Sequence, residues 1–264
     1  MPHISLPEGG LIHFREAGTG RPLLLLHAFP LSAEAFAPQL RSPPRGFRLI
    51  APDLRGFGGS GPATGITSMA ALAADALALL DQLGLREPAV VGGVSMGGYA
   101  ALALARLNPG RVRALVLIDT QASADDDAAR SGRESVAREV ENEGTEALIR
   151  SLLPRLLSPS APTAVREAVA AMIRGNGAQG AAAAIRGMAW REDARDILAR
   201  FAGPALVVVG EEDVITPPPK AWVMADLLSN SKRVMLPAAG HLSNLESPDA
   251  FNTALAEFCD RLPS

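Results

Sequence analysis

Ser95 stands between two glycines, each two residues away, in Val90-Val91-Gly92-Gly93-Val94-Ser95-Met96-Gly97-Gly98-Tyr99, and here residue type and spacing first imply chemistry. The apolar run before it reads as a strand and the Ala- and Leu-rich run after it as a helix, so Ser95 falls on a sharp strand-to-helix turn. Backbone on such a turn is strained, and its neighbours two residues away must be small, a condition Gly93 and Gly97 meet. The turn lifts Oγ clear of the sheet. It also sets Oγ at a helix N-terminus, where free N–H groups and the helix dipole favour negative charge developing on a substrate. Nucleophilic attack on an acyl carbon is the reaction such a serine serves.

A serine hydroxyl is a weak nucleophile at neutral pH and needs a base within hydrogen-bond reach. The histidines are His3, His13, His27 and His241. His3 and His13 lie in an N-terminal hairpin pattern and read as ordinary surface or edge-strand residues. His27 ends Leu23-Leu24-Leu25-Leu26 and opens His-Ala-Phe-Pro, a loop better suited to supplying backbone N–H groups. His241, in Ala238-Ala239-Gly240-His241-Leu242-Ser243, follows the nucleophile and an acid in the order Ser, Asp, His, and is the expected base. The acid orients the imidazole and stabilises its cation. Two aspartates end strands after the nucleophile: Asp119, closing Val116-Leu117-Ile118, and Asp213, in Val209-Gly210-Glu211-Glu212-Asp213. Asp213, nearer His241 in sequence, is preferred; Asp119 is the rival, and Glu211 and Glu212 are weaker competitors.

The chain that positions these groups has 264 residues, 48% hydrophobic and 20% charged, with no shift in composition to mark a linker. That fits one large domain with a substantial core. Continuous apolar runs at Pro22–Leu26, Phe47–Ala51, Ala89–Val94, Val112–Ile118 and Ala205–Val209 read as strands covered on both faces. His3–Leu6 and Leu11–Glu16, around the turn Pro7-Glu8-Gly9-Gly10, read as an antiparallel edge hairpin. Ser68–Leu83 has a helical apolar face ending at Gly84, and a last helix opens at Ser247-Pro248. Repeated strand–helix–strand units imply an α/β fold with a doubly wound, mostly parallel sheet. Residues 122–201 break the alternation with helical patterns and breakers at Pro154, Pro159, Pro162, Gly175, Gly177 and Gly180. About 80 residues exceed an ordinary crossover, so they are expected to form a helical cap that the glycines let move, inserted into a core of residues 1–121 and 202–264. Leu148, Leu152, Leu153, Leu156, Met172, Met188 and Trp190 serve equally well as cap core or pocket lining.

A net charge of −3 spread along the chain offers no basic surface for nucleic acid. No run approaches the roughly 18 to 20 apolar residues of a membrane span. The start Met-Pro-His-Ile-Ser has neither part of a signal peptide and Cys259 has no disulfide partner, so a cytoplasmic protein is expected. Cys259 reads as a packed helix residue. No metal-ligand spacing and no Gly-x-Gly-x-x-Gly after the first parallel strand occur, so neither metal nor cofactor is expected.

Five segments in order together resemble the α/β-hydrolase superfamily over nearly the whole chain. His27-Ala28-Phe29-Pro30 is similar to its His-Gly-x-Pro loop, Asp53-Leu54-Arg55-Gly56-Phe57-Gly58-Gly59-Ser60 to its Asp-x-Arg-Gly-x-Gly-x-Ser segment, and Gly93–Gly97 to its nucleophile elbow. Gly210–Asp213 resembles its acid turn and Gly240-His241 its histidine loop. The resemblance implies an oxyanion hole made by the backbone N–H groups of Phe29 and Met96, although Ala28 stands where the superfamily has glycine. The Ser95-Met96 pair and the Phe after His-Ala are most similar to the branch of small carboxylesterases, enol-lactonases and cofactor-free perhydrolases. Cleavage of a small or medium carboxylic ester through an acyl-enzyme on Ser95 is therefore expected, with a lactone or peracid chemistry as the alternative. The fold also admits a non-catalytic ligand receptor, which would have no need of Ser95, Asp213 and His241 together.

Overall fold

The structure, a computed structural model, describes residues 2–6, 10–63 and 65–263. Its strands are β1 (His3–Ser5), β2 (Leu11–Gly18), β3 (Arg21–Leu26), β4 (Phe47–Pro52), β5 (Ala89–Val94), β6 (Val112–Ile118), β7 (Ala205–Gly210) and β8 (Ser231–Leu236). They form one sheet in the order β1-β2-β4-β3-β5-β6-β7-β8. β1 pairs antiparallel with β2, and β2 antiparallel with β4; every later pairing is parallel. This is the expected doubly wound sheet with an antiparallel edge. Of the turn Pro7-Glu8-Gly9-Gly10, the first three residues lie outside the described residues.

The apolar runs are continuous because the central strands are covered on both faces. Leu23–Leu26 of β3 are all 0% exposed, every residue of β5 and β7 is buried, as is nearly all of β6, and each buried leucine contributes about 1.5–3 kcal/mol. The helix Met96–Leu107 packs on β3, β5 and β6, and against the helix Met69–Gln82. Ser68 caps that second helix by accepting from the Ala71 N–H, and Gly84 follows it at φ 74°. Cys259, in the helix Pro248–Asp260, is buried, and burial pushes its thiol up to about 12.

Between β6 and β7 the chain runs through helices at Asp127–Glu143, Glu146–Ser151, Leu153–Leu156, Thr163–Arg174, Ala178–Ala189 and Arg195–Arg200. Asp127–Glu143 lies along Ala178–Ala189, joined by Arg186 to Glu134 and Glu141. Ala178–Ala189 is buried nearly all round, which explains its run of Ala and Gly. Gly180 is not a breaker. It lies inside this helix, where a Cβ would overlap the Gly56 carbonyl, so it permits close approach to the loop after β4. Gly180→Ala is expected to cost about 1–3 kcal/mol by overpacking. Gly177→Ala, with nothing within 4 Å of the added Cβ, should leave the melting temperature unchanged; equal melting of both variants would remove this packing role. Leu148, Leu153, Leu156 and Met188 are buried, Leu152 and Met172 partly so, whereas Trp190 is 66% exposed beneath Arg130.

No helix among the described residues is long and apolar enough to cross a membrane.

Candidate active site

β5, β6, β7 and β8 are neighbours and parallel, so their C-terminal ends share one edge of the sheet. Ser95 follows β5, Asp119 follows β6, Asp213 comes three residues after β7, and His241 five after β8. Non-glycine residues with positive φ among the described residues are Ser95 (52°), Asp119 (44°) and Ala238 (53°). All three lie at this edge. Backbone of this kind costs on the order of 1–3 kcal/mol per residue and persists only where its surroundings fix it.

Those surroundings are visible at Ser95. Its N–H donates to Ile118 O, and its own carbonyl accepts from the Tyr99 N–H and the Thr120 hydroxyl. A Cβ on Gly93 would overlap the Gly97 carbonyl, and one on Gly97 would overlap Leu26 O, so both glycines are required by close approach, as the spacing predicts. Ser95 Oγ caps no helix N–H.

His241 is 1% exposed and its Nδ1 lies 2.8 Å from Asp213 Oδ2. Asp213 Oδ1 accepts from the N–H groups of Ile215 and Thr216, and Oδ2 also accepts from the Thr216 hydroxyl. A carboxylate so supplied with donors places the shared proton on Nδ1, which leaves the imidazole Nε2 with its lone pair free to act as base. Burial alone would raise the Asp213 pKa, but the charge and hydrogen bond of His241 and the bonds from Thr216 outweigh it and hold the carboxyl below its ordinary value. Glu211 and Glu212 are exposed; of the candidate acids, the structure brings Asp213 to the imidazole.

Asp119 does different work. Its Oδ1 accepts from the Gly210 N–H, and its Oδ2 from the Ser243 N–H and hydroxyl, so it ties the end of β7 to the histidine loop. Burial first, then the charge of Asp213, raise its pKa to about 7 against the opposing His241, Ser243 and Gly210.

His27 is fully buried, with Leu54 N–H donating to Nε2 and Nδ1 bonded to Ala28 O, so the ring is spent on holding its own loop. Burial lowers its pKa. Ala28 is not among the positive-φ residues, which explains why a side chain is tolerated at that position. Neither the Phe29 nor the Met96 N–H has a hydrogen-bond partner among the described residues.

Reading His13 as an ordinary surface or edge residue is incorrect. β2 lies one strand in from the edge, His13 is 8% exposed, and its Nδ1 lies 2.6 Å from Asp53 Oδ2. Asp53 also accepts from the N–H groups of Ala33 and Gly59, so this segment holds the loops after β3 and β4. Sequence reasoning also missed Thr216, three residues after Asp213, where an Asp-x-x-Thr turn is a local signal. It missed Glu246, whose two oxygens accept from the Gly240 and Ser158 N–H groups and so join the histidine loop to the insertion. That pairing has no local signal. Among the described residues no three His, Cys, Asp or Glu side chains gather as a metal site would require.

A sequence profile of the alpha/beta hydrolase fold matches residues 21–248. The structure resembles that of a thermophilic esterase from Thermogutta terrifontis with a TM-score of 0.96 and 37% identity, covering 100% of each chain. It also resembles the enol-lactonase from Burkholderia xenovorans LB400, with a TM-score of 0.90 and 26% identity over 98% of this chain and 100% of the other. A non-heme haloperoxidase from Rhodococcus erythropolis is 40% identical over 45% of this chain and 43% of its own length.

Proposed function

The chain belongs to the alpha/beta hydrolase fold family, and from that premise we propose that it is a serine hydrolase cleaving small or medium carboxylic esters through an acyl-enzyme on Ser95. The observation that carries this reading is the buried His241–Asp213 pair at the same sheet edge as the strained Ser95 turn. His241 Nε2 takes the Ser95 proton as Oγ attacks the acyl carbon. The free N–H groups of Phe29 and Met96 stabilise the oxyanion, and Asp213 stabilises the imidazolium. His241 then returns the proton to the leaving alcohol, and water repeats the cycle on the acyl-enzyme. No step calls for a metal or cofactor.

A lactone is the same substrate with its alcohol tethered, which the likeness to an enol-lactonase favours. The haloperoxidase likeness favours hydrogen peroxide as an alternative acceptor in the second step, giving a peracid. Residues 122–201 are assigned as the cap over the catalytic edge, on a core of 1–121 and 202–264; the Ser158–Glu246 contact supports this.

Labelling with a fluorophosphonate, followed by a screen of p-nitrophenyl esters, lactones and peracid formation, tests the reading. A folded protein with Ser95 unmodified would mean a ligand receptor instead. The pH profile supplies a second check, because His241 must be neutral to accept the proton. kcat/KM is expected to rise with pH along one acid limb that persists in Asp119→Asn. Loss of the limb in that variant would assign the ionisation to Asp119, whose pKa is raised to about 7.

A further inference from the structure

Asn176 lies in the link between the helices Thr163–Arg174 and Ala178–Ala189, is only 7% exposed, and has no part in the steps above. Its Nδ2 donates to Pro30 O at 2.7 Å, with a longer contact to Leu31 O at 3.3 Å, and to Met172 O at 2.8 Å. Its Oδ1 accepts from the Gly58 N–H at 2.8 Å. The partners fix the orientation of the amide, since the opposite flip would set its oxygen against three carbonyls and its NH2 against an N–H. A carboxamide meets both demands at once; a hydroxyl or carboxylate of similar size does not.

The contacts fall on the turn that carries Phe29. The peptide plane bearing the Phe29 N–H also bears Ala28 O, which bonds the His27 ring and accepts from the Leu31 N–H, closing the turn Ala28–Leu31. His27 and Leu54 hold the near end of this turn from the core. Asn176 holds the far end, through Pro30 O and Leu31 O, from the helical insertion. We infer that Asn176 is a positioning residue for the oxyanion hole, fixing the Ala28–Leu31 turn so that the Phe29 N–H stays aimed at the developing oxyanion. The inference rests on the proposed hydrolase reading. It makes the insertion part of the catalytic geometry, with the Asn176 amide tying it to the turn that carries Phe29.

An oxyanion donor acts mainly in the transition state, so misaiming it lowers kcat and spares KM. Loss of one such donor costs about 100- to 1000-fold, and a displaced one part of that. Asn176→Asp keeps an acceptor for Gly58 and turns an oxygen toward Pro30 O, Leu31 O and Met172 O. With active sites counted by fluorophosphonate end-point titration, kcat per site is expected to fall about 10- to 100-fold with KM within about threefold. Affinity for butylboronic acid, whose tetrahedral adduct on Ser95 places an oxygen in the hole, should fall by a similar factor. Acidification should raise kcat relative to wild type at the same pH, as the carboxylic acid regains a donor. If Asn176→Asp yields no folded protein, Asn176→Ser, which retains one donor, gives the same comparison. A kcat per site within threefold of wild type, or a raised KM at unchanged kcat, overturns the inference. Ser95→Ala measured alongside separates the two readings: if it is inactive while Asn176→Asp is normal, only the positioning role fails. Turnover by Ser95→Ala would end the hydrolase reading and this one with it.

Discussion

Ser95→Ala leaves a folded protein whose kcat is lower by about a millionfold, measured on a p-nitrophenyl ester alongside a thermal melt. The substitution removes Oγ and nothing else on which the fold depends. The Ser95 N–H to Ile118 O bond and the bonds that its carbonyl accepts from Tyr99 and Thr120 belong to the main chain and to Thr120. The Oγ itself caps no helix N–H. An alanine pays the same backbone strain at φ 52° as the serine, so the melting temperature should hold. Whatever rate remains belongs to substrate binding and the oxyanion donors, which lower the barrier to attack by water without a covalent intermediate. Turnover near the wild-type rate would falsify the mechanism.

The doubly wound, mostly parallel sheet with its antiparallel edge was legible, as were the candidate residues at its C-terminal edge, because they depend on local features. Apolar runs give strands, a strand running into a Gly-x-Ser-x-Gly turn and a helix gives the position of Ser95, and chain order narrows the histidines to His241. What escaped depends on pairs far apart in sequence. His13 looks like an edge residue until β2 pairs with β4 and brings it to Asp53. Gly180 reads as a breaker because a glycine permitting close packing and one ending a helix are the same letter, and only the neighbouring Gly56 tells them apart. Asn176, between Gly175 and Gly177, has the composition of a solvated loop; its burial is a consequence of where the insertion folds back, onto residues 30, 31 and 58. The two candidate acids both end apolar strands, and the sequence preferred Asp213 only for its place nearer His241. Their hydrogen bonds separate them, one to the imidazole and the other to the loop that carries it.

That separation sets the expected ranking of two isosteric variants. In Asp213→Asn the amide oxygen can still accept from Ile215 and Thr216, but the NH2 group then faces His241 Nδ1. It compels Nδ1 to accept, moves the imidazole proton to Nε2, and leaves Ser95 without a base. The carboxylate charge that would stabilise the imidazolium is also lost. A comparable change elsewhere costs about ten-thousandfold, so a loss on the order of a thousandfold or more in kcat is expected, with little change in melting temperature. Asp119→Asn should lose less than about tenfold, because its oxygen still reaches Gly210 and its amide can donate to the Ser243 hydroxyl; the Ser243 N–H alone loses its acceptor. Its effect on stability carries a pH signature. A carboxyl raised from 3.8 to about 7 binds its proton more tightly in the folded state, so wild-type stability falls as pH rises between those values. Asparagine cannot ionise, and the deficit of Asp119→Asn against wild type should therefore shrink from pH 4 to pH 8 in paired melts. The reverse ranking in kcat would transfer the acid role to Asp119. Mild losses in both variants would mean that the imidazole works without a fixed carboxylate, and that the His241–Asp213 bond serves only to hold the loop.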